Sequence, residues 1–225
     1  MTNFLSNLCI IIISIIVHET GHFLAAKLLN YGIKEYSIGF GPKIFQKEKK
    51  GILYTIRLIQ LGGYVSLQDS CEGKRDITKP DATNIIIHSM GIIFNFILAI
   101  LALTLRYLLK GINLGGALNG SIFAFIQTLK PVLFNFEYFI NNGFIVNIPE
   151  NLLWAFNDID QILISVFWIN LNIGFLNSLP IPIFDGGRVI SDAIELMLEE
   201  KTAKKVINAI YVLFIIVVGI FMFVK

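Results

Sequence analysis

Four apolar stretches constrain this chain more than any other feature. Phe4 to Leu29, Asn84 to Tyr107, Ile159 to Leu179 and Val206 to Val224 are each long enough to cross a bilayer as a helix, because about 20 predominantly apolar residues span the hydrocarbon core. Within lipid every backbone N–H and C=O must find its partner inside its own segment, so such stretches fold as helices. Composition agrees: 55% of the 225 residues are hydrophobic and 15% charged, and mean hydropathy is +0.72, whereas soluble domains are about 45–50% apolar and about 25% charged. The expected fold class is mainly α. It is a polytopic membrane protein with one domain over residues 1–225, about four transmembrane helices (4–29, 84–107, 159–179, 206–224) and a small β-region after the first. The bilayer is its first partner. A net charge of +2 without a basic block gives no surface for nucleic acid. Cys9 and Cys71 form no metal-type pair and imply no disulfide framework. The N-terminal run lacks a basic n-region and a small-residue cleavage site, so it reads as a retained helix rather than a leader.

The intervening segments differ in texture. From Ile33 to Leu67 the pattern alternates, with Ile52, Tyr54, Ile56 and Leu58 on one side, and Gly39, Gly41-Pro42, Gly51 and Gly62-Gly63 punctuate it. This reads as a β-hairpin or meander with tight turns, Gly62-Gly63 among them. Residues 115–140 carry apolar positions at helical spacing until Lys130-Pro131 interrupts, which suggests an amphipathic segment at the membrane surface. Pro180 and Pro182 break the third crossing. A helix is expected from Gly186 to Glu200 with Asp185 at its N-cap.

Charge placement sets the expected orientation. Lys27 to Lys79 holds ten of the 18 Lys and Arg residues, Arg188 to Lys205 holds four, and Gly111 to Asn170 holds Lys130 alone. The positive-inside rule puts the two basic regions in the cytoplasm. Four crossings then leave both termini outside and open the site toward the cytoplasm.

Chemistry concentrates at His18-Glu19-Thr20-Gly21-His22. Residues i and i+4 share a helix face, so both imidazoles can reach one metal ion. Glu19 beside them can deprotonate a metal-activated water. Three ionisable groups in five membrane residues are costly, at about 2.5–3.5 kcal/mol each on insertion scales, and a cation compensates them. A catalytic zinc site normally takes three protein ligands, so the third is His88 or a carboxylate. Asp185 follows the two prolines, which place it on irregular backbone at membrane depth. Such backbone is tolerated where it lines a cavity. His88, near the end of the second crossing, is expected to pack or sit at the interface.

These motifs, taken together, resemble the site-2 protease family of intramembrane zinc metalloproteases. His18 to His22 and Asn177 to Arg188 carry the resemblance. Gly39 to Pro42 and Arg57 to Val65 look like the β-rich loop of its bacterial sigma-factor-regulating branch. Gly91 to Asn95 is similar to the family's Gly-x-x-x-Asn motif, and Asn172 to Asn177 to its paired asparagines. The resemblance implies Zn2+ held by His18, His22 and Asp185, with Glu19 as base. It also implies that Asn95 helps bind substrate or the oxyanion; a buried Asn equally serves as an interhelical hydrogen bond. Asn172 and Asn177 could hold an unwound substrate backbone or support the proline turn. Gly62 and Gly63 fall where an exposed strand edge could accept that substrate as an added strand.

The implied activity is regulated intramembrane cleavage of transmembrane segments in other proteins, in a bacterial inner membrane. The alternatives are an inactive membrane scaffold and a metal transporter. The chain departs from the pattern in three places. About 50 residues between Lys110 and Ile159 leave no room for the PDZ domain of close relatives. Ile92 stands where Pro is expected after Gly91, and Phe184 precedes Asp185 where Leu is commoner.

Overall fold

The computed structural model describes residues 2–68, 74, 75, 77, 80–134 and 158–223. Helix α1 (Thr2–Leu28) leads into the long strands β1 (Ile33–Lys49) and β2 (Ile52–Leu67). Helices α2 (Ala82–Leu109), α3 (Leu114–Phe134), α4 (Ile159–Ser178), α5 (Asp185–Met197) and α6 (Glu200–Phe223) follow. Among the described residues three helical spans are long and apolar enough to cross a membrane: Asn7–Leu28, Ala82–Leu109 and Ile159–Ser178. They match three of the expected crossings to within two residues or so at most ends. Cys71 and residues 135–140 of the expected surface segment lie outside the described residues.

The helix ends follow from local chemistry. At the end of α1, Asn30 takes φ +66°, and Tyr31 N–H donates to the Ala26 carbonyl at 2.9 Å. This closes the last turn as a Schellman cap, a left-handed position that Asn tolerates. Lys27 in that turn faces the negative end of the helix dipole. α2 ends the same way on Gly111 (φ +82°), with Ile112 N–H donating to Tyr107 O at 3.1 Å. Pro131 does not stop α3, contrary to expectation: the helix carries it inside its C-terminal part and runs on to Phe134. A proline removes only its own amide donor and crowds the carbonyl four residues back, which a helix about to end can absorb.

β1 and β2 pair antiparallel. Their turn is Lys50-Gly51, with φ +53° and +75°, the two-positive-φ arrangement of a tight type I′ hairpin. The sheet is folded on itself. Residues Glu35 to Ile38 have partners on both sides, Ser66 to Gly63 on one and Leu53 to Ile56 on the other. Gly62 and Gly63 lie within β2, not at the turn that the sequence pattern suggests. Space is what they provide: a Cβ on Gly62 would run into the Phe40 ring.

The chain divides into two compact units, Met1–Val17 with Phe94–Leu176, and His18–Ile93 with Asn177–Lys225. In the first, Phe96 stacks edge-on against Phe125 with centroids 5.2 Å apart, and Arg106 and Lys110 both pair with Asp160, at 2.8 and 3.0 Å. In the second, Ala25, Ala26, Tyr31, Ile33 and Ile87 form a buried core, with Phe23, Ile52, Val65 and Met90 packed against it. That core seats the sheet against the C-terminal half of α1.

Candidate metal centre

The His-Glu-x-x-His residues and Asp185 all fall in the second unit. His18, Glu19 and His22 are buried on α1. Helical spacing brings the two imidazoles together, with Nε2 to Nε2 at 3.2 Å. α4 ends at Ser178, and the segment carrying Pro180 and Pro182 turns the chain, with Phe184 N–H donating to Ile181 O at 3.0 Å. α5 then starts at Asp185. The sequence pattern suggests Asp185 as the N-cap, but Phe184 occupies that place, extended and without a side-chain cap bond. Asp185 is the first helical residue, and its carboxylate is committed elsewhere. Oδ2 lies 2.9 Å from His18 Nε2 and 3.1 Å from His22 Nε2.

These three ligand atoms lie within 4.8 Å of one another, and their donor chemistry fits a metal ion. The Nδ1 of His22 is 2.7 Å from the Ile87 carbonyl, a partner that requires Nδ1 to carry the proton. This turns Nε2 toward His18 and Asp185, and such outer bonds orient metal-binding imidazoles. Two imidazole Nε2 atoms and a carboxylate oxygen so close together repel one another unless a proton or a cation lies among them. Sides of 2.9 to 3.2 Å suit a small ion with His and carboxylate bonds of about 2.0–2.2 Å. Burial pushes the Asp185 carboxyl up, but the hydrogen bonds and charge of His18 and His22 outweigh it and hold the group well below the usual carboxylate range. His88, the other candidate third ligand, is engaged elsewhere. Its Nδ1 lies 2.7 Å from Asp192, seven residues beyond Asp185 on α5.

Two glycines let backbone reach this centre. A Cβ on Gly91 of α2 would lie 2.7 Å from His18 Cε1 and Nε2 and would also strike His22 Nε2. A Cβ on Gly63 of β2 would lie 2.7 Å from Glu19 Cγ and 2.7 Å from the Ser37 carbonyl. So the β2 backbone passes directly beside Glu19. From Gly63 to Leu67 the strand has ladder partners among the described residues on its β1 side. The sheet is braced nearby: Thr20 Oγ1 and the Tyr36 hydroxyl are 3.1 Å apart. Arg57 donates to Glu35 at 2.9 Å, the Tyr64 hydroxyl at 2.6 Å and Ser37 Oγ at 3.0 Å. Burial raises the Glu35 carboxyl, but its hydrogen bonds from Thr55 and Arg57 win and hold it below the ordinary value.

Asn95 belongs to the first unit and is fully buried. Its amide donates to Ser14 O at 3.2 Å and to Asn170 Oδ1 at 2.8 Å, and Asn170 donates to Ser14 Oγ at 2.9 Å. Sequence patterns do not single out Ser14 or Asn170, although an amide in an apolar span, the signal that marks Asn95, applies equally to Asn170. Asn172 donates to the Trp168 carbonyl one turn back at 2.9 Å. Asn177 sits in the last turn of α4. Breaking the Ser14–Asn95–Asn170 network leaves buried amides unmatched, at a cost of about 1–2 kcal/mol in a membrane interior. Asn170→Ala is therefore expected to melt several degrees below the parent in detergent. An unchanged melting temperature would show that the network does not hold these helices.

The chain matches known proteins along the same lines. The model of peptidase family M50 matches residues 6–220. A Fusobacterium nucleatum protein named for zinc metalloprotease activity is 36% identical over 101 residues, covering 43% of this chain and 30% of that one. An Enterococcus faecalis protein named for protease activity is 40% identical over 80 residues, covering 35% and 19%. A chloroplast protein of Arabidopsis thaliana named for membrane metalloprotease activity is 36% identical over 94 residues, covering 38% and 21%. The chain thus spans less than a third of the length of each of these relatives.

Proposed function

The chain belongs to peptidase family M50, the site-2 protease family, and on that footing we propose that it is a zinc metalloendopeptidase that hydrolyses peptide bonds in the transmembrane segments of other membrane proteins. The observation that carries this reading is the convergence of His18, His22 and Asp185 on one point, at 2.9 to 3.2 Å, with Glu19 next in sequence to one of them. His18 and His22 would hold the ion through Nε2 and Asp185 through its carboxylate. Zinc bound there supplies Lewis-acid polarisation of the scissile carbonyl and lowers the pKa of its water to about 7.

The remaining work falls to the chain. Glu19 takes the proton of the attacking water and delivers it to the leaving amide nitrogen. It is buried beside the β2 backbone. The Ile87 carbonyl keeps His22 in the orientation that presents Nε2. A substrate helix must unwind before its amides can be reached. The edge at Gly63 to Leu67 is the surface it would join as an added strand, bringing its backbone past Glu19. Asn172 and Asn177 would support the unwound segment. Asn95 as an oxyanion donor would have to release its amide from Ser14 or Asn170.

α6 would be the fourth crossing, with both termini outside, the centre open to the cytoplasm and a bacterial inner membrane as the site of action. The charge distribution between Lys27 and Lys79 and between Arg188 and Lys205 supports that orientation. The test is to measure zinc content and cleavage of a generic transmembrane substrate by the purified protein, before and after chelation. About one zinc per chain is expected, with cleavage lost on chelation and restored by zinc. Correctly folded protein that takes up no zinc would overturn the reading. Zinc without cleavage of any substrate would favour an inactive scaffold.

A further inference from the structure

A concave surface away from His18, His22 and Asp185 lies in the same unit as the metal centre. It is a cavity of about 520 Å³ between the end of α1 and the β1–β2 hairpin tip. Lys27, Lys49, Lys50 and Lys74 line it with Tyr31 and Gln68, and no carboxylate is among its described lining residues. All four lysines are exposed.

Local geometry fixes the backbone that carries these lysines. The Schellman cap of α1 fixes Lys27, and the type I′ turn fixes Lys49 and Lys50. Lys74 is fixed by its Nζ donating to Asn30 Oδ1 at 2.7 Å and by the neighbouring Arg75 N–H donating to Asn30 O at 3.1 Å. Four ammonium groups around one hollow repel one another, and an anion relieves that repulsion. The helix end beside Lys27 offsets only part of it.

Position selects the anion. The membrane span Asn7–Leu28 ends at this cavity. On the span side Leu28 is 83% exposed and Leu24 is 37% exposed. A hollow lined by four lysines at the end of a membrane span whose last turns carry exposed leucines suits a molecule with a phosphate and an acyl chain. The volume is ample for a phosphodiester headgroup, and lysine acts on such a group as a point charge without bidentate demands. We propose that this cavity is a binding site for the headgroup of an anionic phospholipid, which ties the hairpin tip to the end of the helix that bears His18 and His22. The proposal does not depend on the peptidase reading.

The test uses the full chain in detergent, with lipid retention measured by native mass spectrometry. The probes are phosphatidylglycerol and phosphatidylcholine with identical acyl chains. The parent should retain phosphatidylglycerol preferentially. Lys49→Gln/Lys50→Gln should weaken that retention about tenfold or more, given the usual contribution of each basic residue at an anionic surface. Lys27→Gln, on the other wall, should weaken it independently. Lys201→Gln/Lys205→Gln, a pair on α6, should leave it unchanged. Equal retention of the two lipids, or equal loss in the α6 pair, would overturn the site. Inorganic phosphate at constant ionic strength should displace little lipid. Full displacement by phosphate alone would overturn the lipid as its occupant.

Discussion

Glu19→Gln is expected to keep the metal and lose cleavage. Gln has the same shape, so it preserves the packing of Glu19 against Gly63 and leaves the His18–His22–Asp185 triangle intact, but it cannot accept a proton. A positioned general acid–base group contributes roughly 10² to 10⁴-fold, so kcat should fall by that order. KM should change little, because the proton moves only in the transition state. Metal analysis together with steady-state cleavage of one transmembrane substrate measures both halves. Near-parental turnover in Glu19→Gln would remove the residue from the mechanism. Loss of metal along with activity would make it a structural support of the site instead.

Gly91→Ala should produce the opposite pattern: loss of metal in a chain that remains helical. By propensity alone, alanine in a helix interior is better than glycine by about 1 kcal/mol. Here the added methyl would occupy the space of His22 Nε2 and lie 2.7 Å from His18 Nε2, well inside van der Waals contact. The imidazoles must then rotate away from Asp185. Disturbing the groups that merely orient metal ligands already costs about 10–100-fold in affinity, so displacing two ligands should cost at least about 100-fold. Gly115→Ala is the control, at an exposed position near the start of α3 where the nearest foreign atom would be 3.7 Å away. Zinc titration of the two variants beside the parent decides the matter. Parental affinity in Gly91→Ala would show that α2 does not confine the histidines.

The two variants separate a residue that is legible in the sequence from one that is not. Glu19 is legible because its neighbours are local: the i, i+4 rule places His18 and His22 on one face whatever the rest of the chain does. Asp185 is legible because its proline-rich approach is local too, although its place within the helix differs by one position from the expected one. An Asp before Gly-Gly reads as a cap, yet its carboxylate faces two imidazoles 163 and 167 residues earlier, and those outweigh the cap bond. Gly91 stands out in the sequence only as part of a motif. That it lies against both histidines depends on how α2 packs across α1, which no spacing within α2 encodes. Gly62 and Gly63 read as a turn because glycine pairs usually mark one. In the folded sheet they are strand residues whose missing side chains make room for Phe40 and Glu19.

Local sequence was enough to mark three candidate membrane-spanning helices, the hairpin and the His18, Glu19 and His22 cluster, and it left Asp185 and His88 as rival third partners. The helices, the hairpin and the cluster are set by hydrophobic length, by residue period or by turn chemistry, interactions that act within a few residues. Tertiary packing was needed to select which backbone carbonyl orients His22 and which strand passes beside Glu19, and to complete the bonds of Asn95 with Asn170 and Ser14. It also paired His88 with Asp192 and brought four lysines from three segments around one hollow. These contacts join residues far apart in the chain, and close packing, which has no sequence period, selects them.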